Sequence, residues 1–462
     1  MADIVGRLRQ ALGDRVRTDP STLDAHRRDR WPLSELLEFQ GRAPPRPLAV
    51  VEATSTDEVA ETLRQCREAR VAVIPFGGGS GVCGGILADP GAIVLSTRGL
   101  EGLVELDDRS LAARFRAGTM GMDAERAVEA HGLTIGHWPQ SIDLSTVGGW
   151  VATRAAGQLS TAYGSIEDLL LGLEVVLPDG HVLRTRRAPR SATGPDLRQL
   201  FCGSEGTLGV ITEVELSLRE RPTARRGQAF DFADFDAGLE AIRRLVRAGW
   251  RPPVVRLYDT AEGPRQFPEC APGRALLLLL HEGPEEAVEA EAPAVARICV
   301  AAHGRETDAR CVDHWLERRN HVPEFRDLFA RGLVFDTIEM SATWDRIGPL
   351  YENVRRALLE VPDVVVASAH SSHSYRSGTN LYFTFVARPA DPADLAERYR
   401  ACWRGAMRAT LASGGSISHH HGIGRVRRED LPLELGEAGL GVLRALKRAL
   451  DPEGLLNPGV LL

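Results

Sequence analysis

Three segments rich in glycine, serine and threonine restrict what this chain can fold into: PFGGGSGVCGG (75–85), PQSIDLSTVGGWVATRAAGQLSTAYGSIEDLL (139–170) and GSEGTLGVIT (203–212). Each is bounded by apolar runs that read as strands. Consecutive glycines after a strand let backbone N–H groups converge on an anion, because no Cβ blocks the approach. A pyrophosphate is the natural guest. The first segment is not a Rossmann loop, which runs straight into a helix facing the phosphates. Its sequel, GILADPGAIVLSTRGL, has no helical period and contains Pro90. No Gly-Lys-Ser/Thr follows, so it is not a Walker loop either. Alone it reads equally well as a tight turn. Three such segments across one αβ domain predict instead a long dinucleotide lying over the sheet, touched mostly by backbone amides.

The chain has 462 residues, too many for one compact core, so two or three domains are expected. With 43% hydrophobic and 26% charged residues it reads as a soluble globular protein. A formal net charge of −7 and the lack of a basic block argue against nucleic acid as a partner. The Arg-rich RTRRAPR (184–190) reads as a solvated loop. Seven scattered cysteines, Cys66, Cys83, Cys202, Cys270, Cys299, Cys311 and Cys402, include no Cys-x-x-Cys pair. They argue against a disulfide framework or a cysteine metal site, and for a reducing compartment. The N-terminal MADIVGRLRQALGDRV is an amphipathic helix with acidic residues rather than a signal peptide. The longest purely apolar run, Ala275 to Leu280, is far too short to cross a bilayer. A cytoplasmic protein is expected.

Residues 1–45 read as a helical, then loop-like segment ending in GRAPPRP. LAVVEA and VAVIP are buried strands flanking the helix STDEVAETLRQCREA, where Ser55 and Glu58 form a capping box and Val59, Leu63 and Cys66 share a face. LEVVLPDGHVLRT (173–185) is a hairpin turning on Pro-Asp-Gly, and LGVITEVELSLR (208–219) alternates as a strand. After Pro222 the texture resets. FADFDAGLEAIRRLVRAG opens a new αβ region with the buried strand ALLLLLHEG, and the tail is a helix closed by Pro and Gly. The expected divisions are 1–45, 46–222, 223–425 and 426–462.

Taken together, segments 75–85, 139–170 and 203–212 resemble the FAD-binding domain of the vanillyl-alcohol oxidase (PCMH-type) flavoproteins. Within that superfamily STVGGWVATRAAG, YGSIEDL, SATGPDL and GSEGTLGVITE are most similar to the alkylglycerone-phosphate synthase (alkyldihydroxyacetonephosphate synthase) family. The likeness extends through RLYD (256–259), MSATWDR (340–346), TNLYFTF (379–385) and SISHHHGIGRVR (416–427). It implies an α+β fold: a PCMH-type FAD-binding domain of two αβ subdomains plus an αβ cap domain with an antiparallel sheet.

The resemblance implies that FAD is held by Pro75, Phe76, Gly77, Gly78, Gly79, Ser80 and Gly81 of the first loop. Gln140, Ser141, Ile142, Asp143, Leu144, Ser145 and Thr146 would follow, with Thr153, Arg154, Ala155 and Ala156. The third group is Glu205, Gly206, Thr207, Leu208, Gly209, Val210 and Ile211. Covalent flavin in this superfamily uses a His in the first loop or a Cys in the second. Neither loop carries that residue in place, and Cys83 lies past the phosphate turn, so non-covalent FAD is expected.

His419, His420 and His421 suggest a metal at first sight. Neighbouring side chains on a strand point to opposite faces and on a helix diverge by about 100°, so three do not easily ligate one ion. The superfamily's metal-dependent 2-hydroxy-acid dehydrogenases provide a comparison. Aligned on Asn380-Leu381, their two ligand histidines become Tyr375 and Tyr382 here, and their Glu before His-Gly becomes His420. No metal is therefore expected, and the histidines read as polar groups at the flavin face. Tyr382 resembles the synthase family's acid/base tyrosine, with the three histidines supplying bonds that lower its pKa. Its bland alternative is a strand aromatic in the core. By the same resemblance Arg256 is needed for activity, Arg326 contacts a phosphate head group, and His137 lies near the flavin. Each arginine alone would read as half of a surface ion pair. ASAHSSHSYRSG (367–378) departs from the family and leaves the substrate open.

The implied activity is exchange of the acyl group of an acyl-dihydroxyacetone phosphate for a long-chain alcohol through a flavin N5 adduct. The alternative is an FAD-linked oxidase or dehydrogenase of a 2-hydroxy acid or alcohol. Either way the expected partner is a small-molecule or lipid substrate with an anionic head group. Peripheral membrane contact and a homodimer are compatible with this reading.

Overall fold

The computed structural model describes residues 3–268, 270, 273–322 and 324–462. Apolar runs without alternation predict strands buried on both faces. Accordingly Ala49–Glu52, Ile93–Ser96 and Val73–Phe76 pair in parallel in the first sheet, in that order. Val16–Arg17 adds to it antiparallel, so part of the segment expected to stand apart at 1–45 belongs to this sheet. Helix Thr56–Ala69 packs on it through Val59, Leu63 and Cys66. Ser55 Oγ accepts from the Glu58 N–H at 3.2 Å, and the Glu58 carboxylate reaches the Thr54 N–H at 2.6 Å, one residue before the cap.

The second sheet is antiparallel, in the order Leu103–Asp107, Ala112–Arg116, Val210–Ser217, Leu170–Val176, Val182–Arg184. Its last two strands are the expected hairpin, and Gly180 takes the left-handed conformation (φ 85°) that the turn requires.

Seven antiparallel strands form the third sheet: Arg305–Thr307, Ala224–Phe232, Ala275–Gly283, Val254–Tyr258, Val364–Ser371, Gly378–Ala387 and Val334–Thr343, in that spatial order. ALLLLLHEG shows why the run is apolar throughout. Leu277 and Leu279 face a core shared with helices Phe235–Arg247, Glu285–Ala301 and Trp344–Leu359. Leu276, Leu278 and Leu280 face a second core with Trp315, Cys311 and Leu159, the last from the second glycine-rich segment. Burying a leucine side chain contributes about 1.5–3 kcal/mol, so this strand ties both layers together. The second core sets the sheet against the second glycine-rich segment.

One expectation fails here. Cys270 and Cys311, 41 residues apart, form a disulfide with Cα atoms 6.7 Å apart. Their spacing carried no signal because the pairing is made by packing in the second core. The other five cysteines are free and buried. Among the described residues no helix is long and apolar enough to cross a membrane.

Candidate active site

Strand Val73–Phe76 delivers the chain into the first glycine loop. A Cβ on Gly77 would stand 2.7 Å from Thr146 Oγ1, and one on Gly78 would stand 2.2 Å from the Leu144 carbonyl oxygen. The first and second loops therefore abut, and only glycine fits at the seam. Thr146 caps helix Val147–Thr153 by accepting from the Gly149 N–H at 3.2 Å. The third loop is held by the C-terminal part of the chain. The buried Glu205 carboxyl accepts from the N–H groups of Ile423 and Gly424, each at 2.8 Å. Asn457 Nδ2 donates to the Glu205 carbonyl at 2.7 Å. Burial pushes the Glu205 carboxyl up to about 7.

These loops and the seven-stranded sheet enclose a cavity of about 520 Å³. Most residues expected to hold the dinucleotide lie on its wall: 75–81, Gln140, Ser141, Leu144, Ser145, Thr146, Thr153, Ala155, Ala156, Glu205, Gly206, Gly209, Val210 and Ile211. Five do not. Ile142 and Leu208 fill the core of the second sheet. Thr207 gives its hydroxyl proton to the Ser204 carbonyl, Arg154 pairs with Glu167, and Asp143 accepts from Asn320. Sequence reasoning missed Asp29, which lies on the wall 1% exposed and accepts from the Trp31 and Ile86 N–H groups. Burial pushes its carboxyl up to about 7.

The wall also buries Arg30 Nε, Gln158 Oε1, His421 Nδ1 and Asn457 Oδ1 without a hydrogen-bond partner. Buried polar atoms are normally satisfied. An extended molecule rich in oxygen and nitrogen, such as FAD, fits these groups and the glycine-lined wall. Cys83 is buried off that wall with its sulfur 2.9 Å from Arg427 Nη1, a structural thiol rather than a point of attachment.

Strand register builds the reacting end. Tyr382 stands opposite His370 on one neighbouring strand and opposite Glu339 on the other. Its ring stacks on His370 at 5.0 Å between centroids. Thr337 Oγ1 donates to the Tyr382 oxygen at 3.1 Å, and His421 Nε2 lies 3.3 Å from it. His370 is fixed in turn: Arg256 Nη2 donates to Nε2 at 2.8 Å, so the Nδ1–H faces Glu262 at 2.9 Å. Arg256 Nε also donates to the Tyr258 hydroxyl at 2.6 Å. Burial, with Glu339 and Asp336 nearby, raises the Tyr382 phenol well above its ordinary value. This reverses the expectation that the histidines would lower it.

The histidine loop hangs on one carboxylate. Glu339, fully buried, accepts from the backbone N–H groups of His419, His420 (3.2 Å) and His421 (2.9 Å) and from Ser418 Oγ (3.1 Å). Arg427, equally buried, donates to it at 2.9 Å and to the Gly422 carbonyl at 2.8 Å. Burial alone would raise the Glu339 carboxyl, but Arg427, the imidazoles and the loop amides hold it below its ordinary value. Glu339 was missed, although a charged residue inside the strand VFDTIEMSAT signals a buried partner. Burial drives the imidazoles the other way, His419 down to about 4 and His421 down to about 3.

His420 and His421 reach the cavity wall; His419 instead turns its Nε2 to the Tyr375 hydroxyl at 2.7 Å. Its Nδ1 faces His420 Nδ1 at 2.8 Å. His373, from the segment that departs from the family pattern, joins them, with its Nδ1 2.6 Å from Ser160 Oγ. Ring nitrogens of His373, His419 and His420 come within 4.8 Å of one another, close enough to share one ion. Two neighbouring histidines do converge here with a third imidazole, His373, brought in by the loop that follows strand Val364–Ser371.

Two expected residues lie elsewhere. His137 is fully buried 4.7 Å from the Trp150 ring, with neither nitrogen bonded, and burial pushes it down to about 3. Arg326 is exposed, its guanidinium 6.0 Å from the Phe39 ring. Neither lines the cavity.

Residues 47–186 match the family model described as an FAD binding domain, and residues 221–461 match that of the FAD linked oxidases, C-terminal domain. The chain is 33% identical to the uncharacterized FAD-linked oxidoreductase YgcU of Escherichia coli (strain K12), over all of this chain and 98% of that one. It is 29% identical to the alkyldihydroxyacetonephosphate synthase of Caenorhabditis elegans, over 90% of this chain and 76% of that one. A solved alkyldihydroxyacetonephosphate synthase structure superposes with a TM-score of 0.82 at 24% identity, covering 99% of this chain and 85% of that one.

Proposed function

The chain belongs to the FAD-linked oxidase family and uses FAD, and from that premise we propose that it catalyses an alkylglycerone-phosphate synthase-like exchange. The acyloxy group of an acyl-dihydroxyacetone phosphate would leave as the fatty acid carboxylate, and the alkoxy group of a long-chain alcohol would take its place, without net oxidation. Held non-covalently by the glycine-rich loops that line the cavity, FAD would supply an electrophilic ring. One observation carries the reading: the proton-handling group beside the cavity is a half-buried phenol backed by neutral imidazoles. As the Tyr382 oxygen takes a proton from the substrate carbon, its own proton passes to His421 Nε2. Glu339, 3.8 Å from His421 Nδ1, meets the charge formed there. Thr337 steadies the phenolic oxygen, and His370 holds the ring in place. Arg256 offers a cation to an oxyanion, as a guanidinium fork does well.

The test is Tyr382→Phe in the FAD-loaded enzyme. It should keep its yellow cofactor and lose incorporation of labelled alcohol. Retained exchange would remove the phenol from the mechanism. A hydroxy-acid or alcohol oxidase is the second reading, favoured by the cluster of His373, His419 and His420. It requires full anaerobic bleaching of the flavin by the substrate and recolouring in air, with a stoichiometric metal in elemental analysis. The exchange reading expects neither.

A further inference from the structure

With Arg326 exposed and off the cavity wall, the anionic head group needs another receptor. Arg256 is engaged by Tyr258 and His370. Arg319 is different. It lines the cavity, half-buried, with its guanidinium 4.3 Å from the Trp138 ring centroid and 6.0 Å from that of Trp315. Among the described residues no carboxylate lies within 4.0 Å of it. The acids whose field reaches it are occupied: Glu282 by Arg225 and Tyr163, and Glu125 by Thr134 and the Ile135 N–H. Burial, reinforced by Arg225, brings its pKa down to about 10. A partly desolvated cation without a counter-charge is costly unless an anion joins it.

The backbone beneath this guanidinium is fastened to the nucleotide side. Gln158 Nε2 donates to the Arg319 carbonyl at 2.9 Å, Trp138 Nε1 to Asn320 Oδ1 at 2.9 Å, and Gln140 Nε2 to the His321 carbonyl at 2.6 Å. Arg319 is thus held by Gln158 and its neighbours by Gln140 and Trp138, while its charge stays free among the described residues. Arg256 adds a second cation on the same wall, 5.7 Å from the Trp315 ring.

We propose that Arg319, cradled by Trp138 and Trp315, is the receptor for the substrate's compact oxyanion, the phosphate head group of the exchange reading. The assignment rests on that reading for the ester but not for the anion. Its test uses the FAD-loaded enzyme and inorganic phosphate, with binding followed by calorimetry. Arg319→Met keeps the stem on the indoles and should weaken phosphate about 10- to 100-fold, the range set by losing charged hydrogen bonds. Arg319→Lys should recover part of the loss. Arg326→Met should bind as the parent does, and acetate should bind more weakly than phosphate. In turnover, Arg319→Met should raise KM far more than it lowers kcat. Unchanged phosphate binding in Arg319→Met, or a loss confined to Arg326→Met, overturns the proposal. Acetate binding as tightly as phosphate overturns the phosphate assignment. Arg319-dependent phosphate binding in an enzyme without alkyl exchange upholds the receptor and discards the exchange reading.

Discussion

Replacing Glu339 by glutamine isolates the device that shapes the histidine loop. Glu339 and Arg427 are both fully buried and 2.9 Å apart. Two unit charges about 4 Å apart attract by about 4 kcal/mol at an effective dielectric near 20. Removing one partner of such a pair leaves the other buried and unpaired, at a typical cost of about 3–5 kcal/mol. Glutamine preserves volume, but its amide donor must face either the N–H groups of His419 and His420 or those of His421 and Arg427, so in neither orientation is that cost offset. Guanidinium chloride unfolding of the FAD-loaded protein, followed by circular dichroism, should show Glu339→Gln destabilised by about 3–5 kcal/mol. Arg427→Met should also destabilise. In the double variant no unpaired charge remains, so its loss should fall short of the summed singles by at least about 2 kcal/mol. A Glu339→Gln protein within about 1 kcal/mol of the parent, or strictly additive singles, would refute the reasoning.

Gly78→Ala should lower FAD affinity about 10- to 100-fold, because a Cβ there overpacks against backbone, typically at roughly 1–3 kcal/mol. Fluorescence titration of the apoprotein checks this, with Gly441→Ala, where a Cβ meets nothing within 4 Å, as the unaffected control. Peptide mapping without reductant should recover one disulfide joining Cys270 and Cys311, and Cys311→Ser should cost up to about 4 kcal/mol by loop-closure entropy. Seven free thiols in the unreduced protein would contradict the pairing. Because burial disfavours the imidazolium of His419 and His421, NMR of 13C-labelled histidine should show both neutral and unchanged from pH 8 to about 5. Glu339, Arg427 and Tyr382 face that loop, and a titration midpoint near 6.5 would mean that water reaches it.

The glycine-rich wall of the cavity was largely legible in order of residues. Gly77 and Gly78 must be glycine wherever two loops press together, and a Pro-Asp-Gly turn or a Ser-x-x-Glu cap acts within a few residues. Local steric rules of this kind act along the chain itself. The reacting end was half legible: Tyr382 and the histidines stood out, while Glu339, His370 and Asp29 did not. Their importance arises from register and from carboxylates reaching across strands, which no local pattern encodes. The same reason explains Cys270 with Cys311, and the placing of Arg319 rather than Arg326 on the cavity wall. Burial also reversed the sign assumed for Tyr382, since desolvation depends on everything packed around a group. Sequence alone determined which segments line the cavity; only the packing of the seven-stranded sheet against them decided which charges are paired, which stay free and which are held neutral.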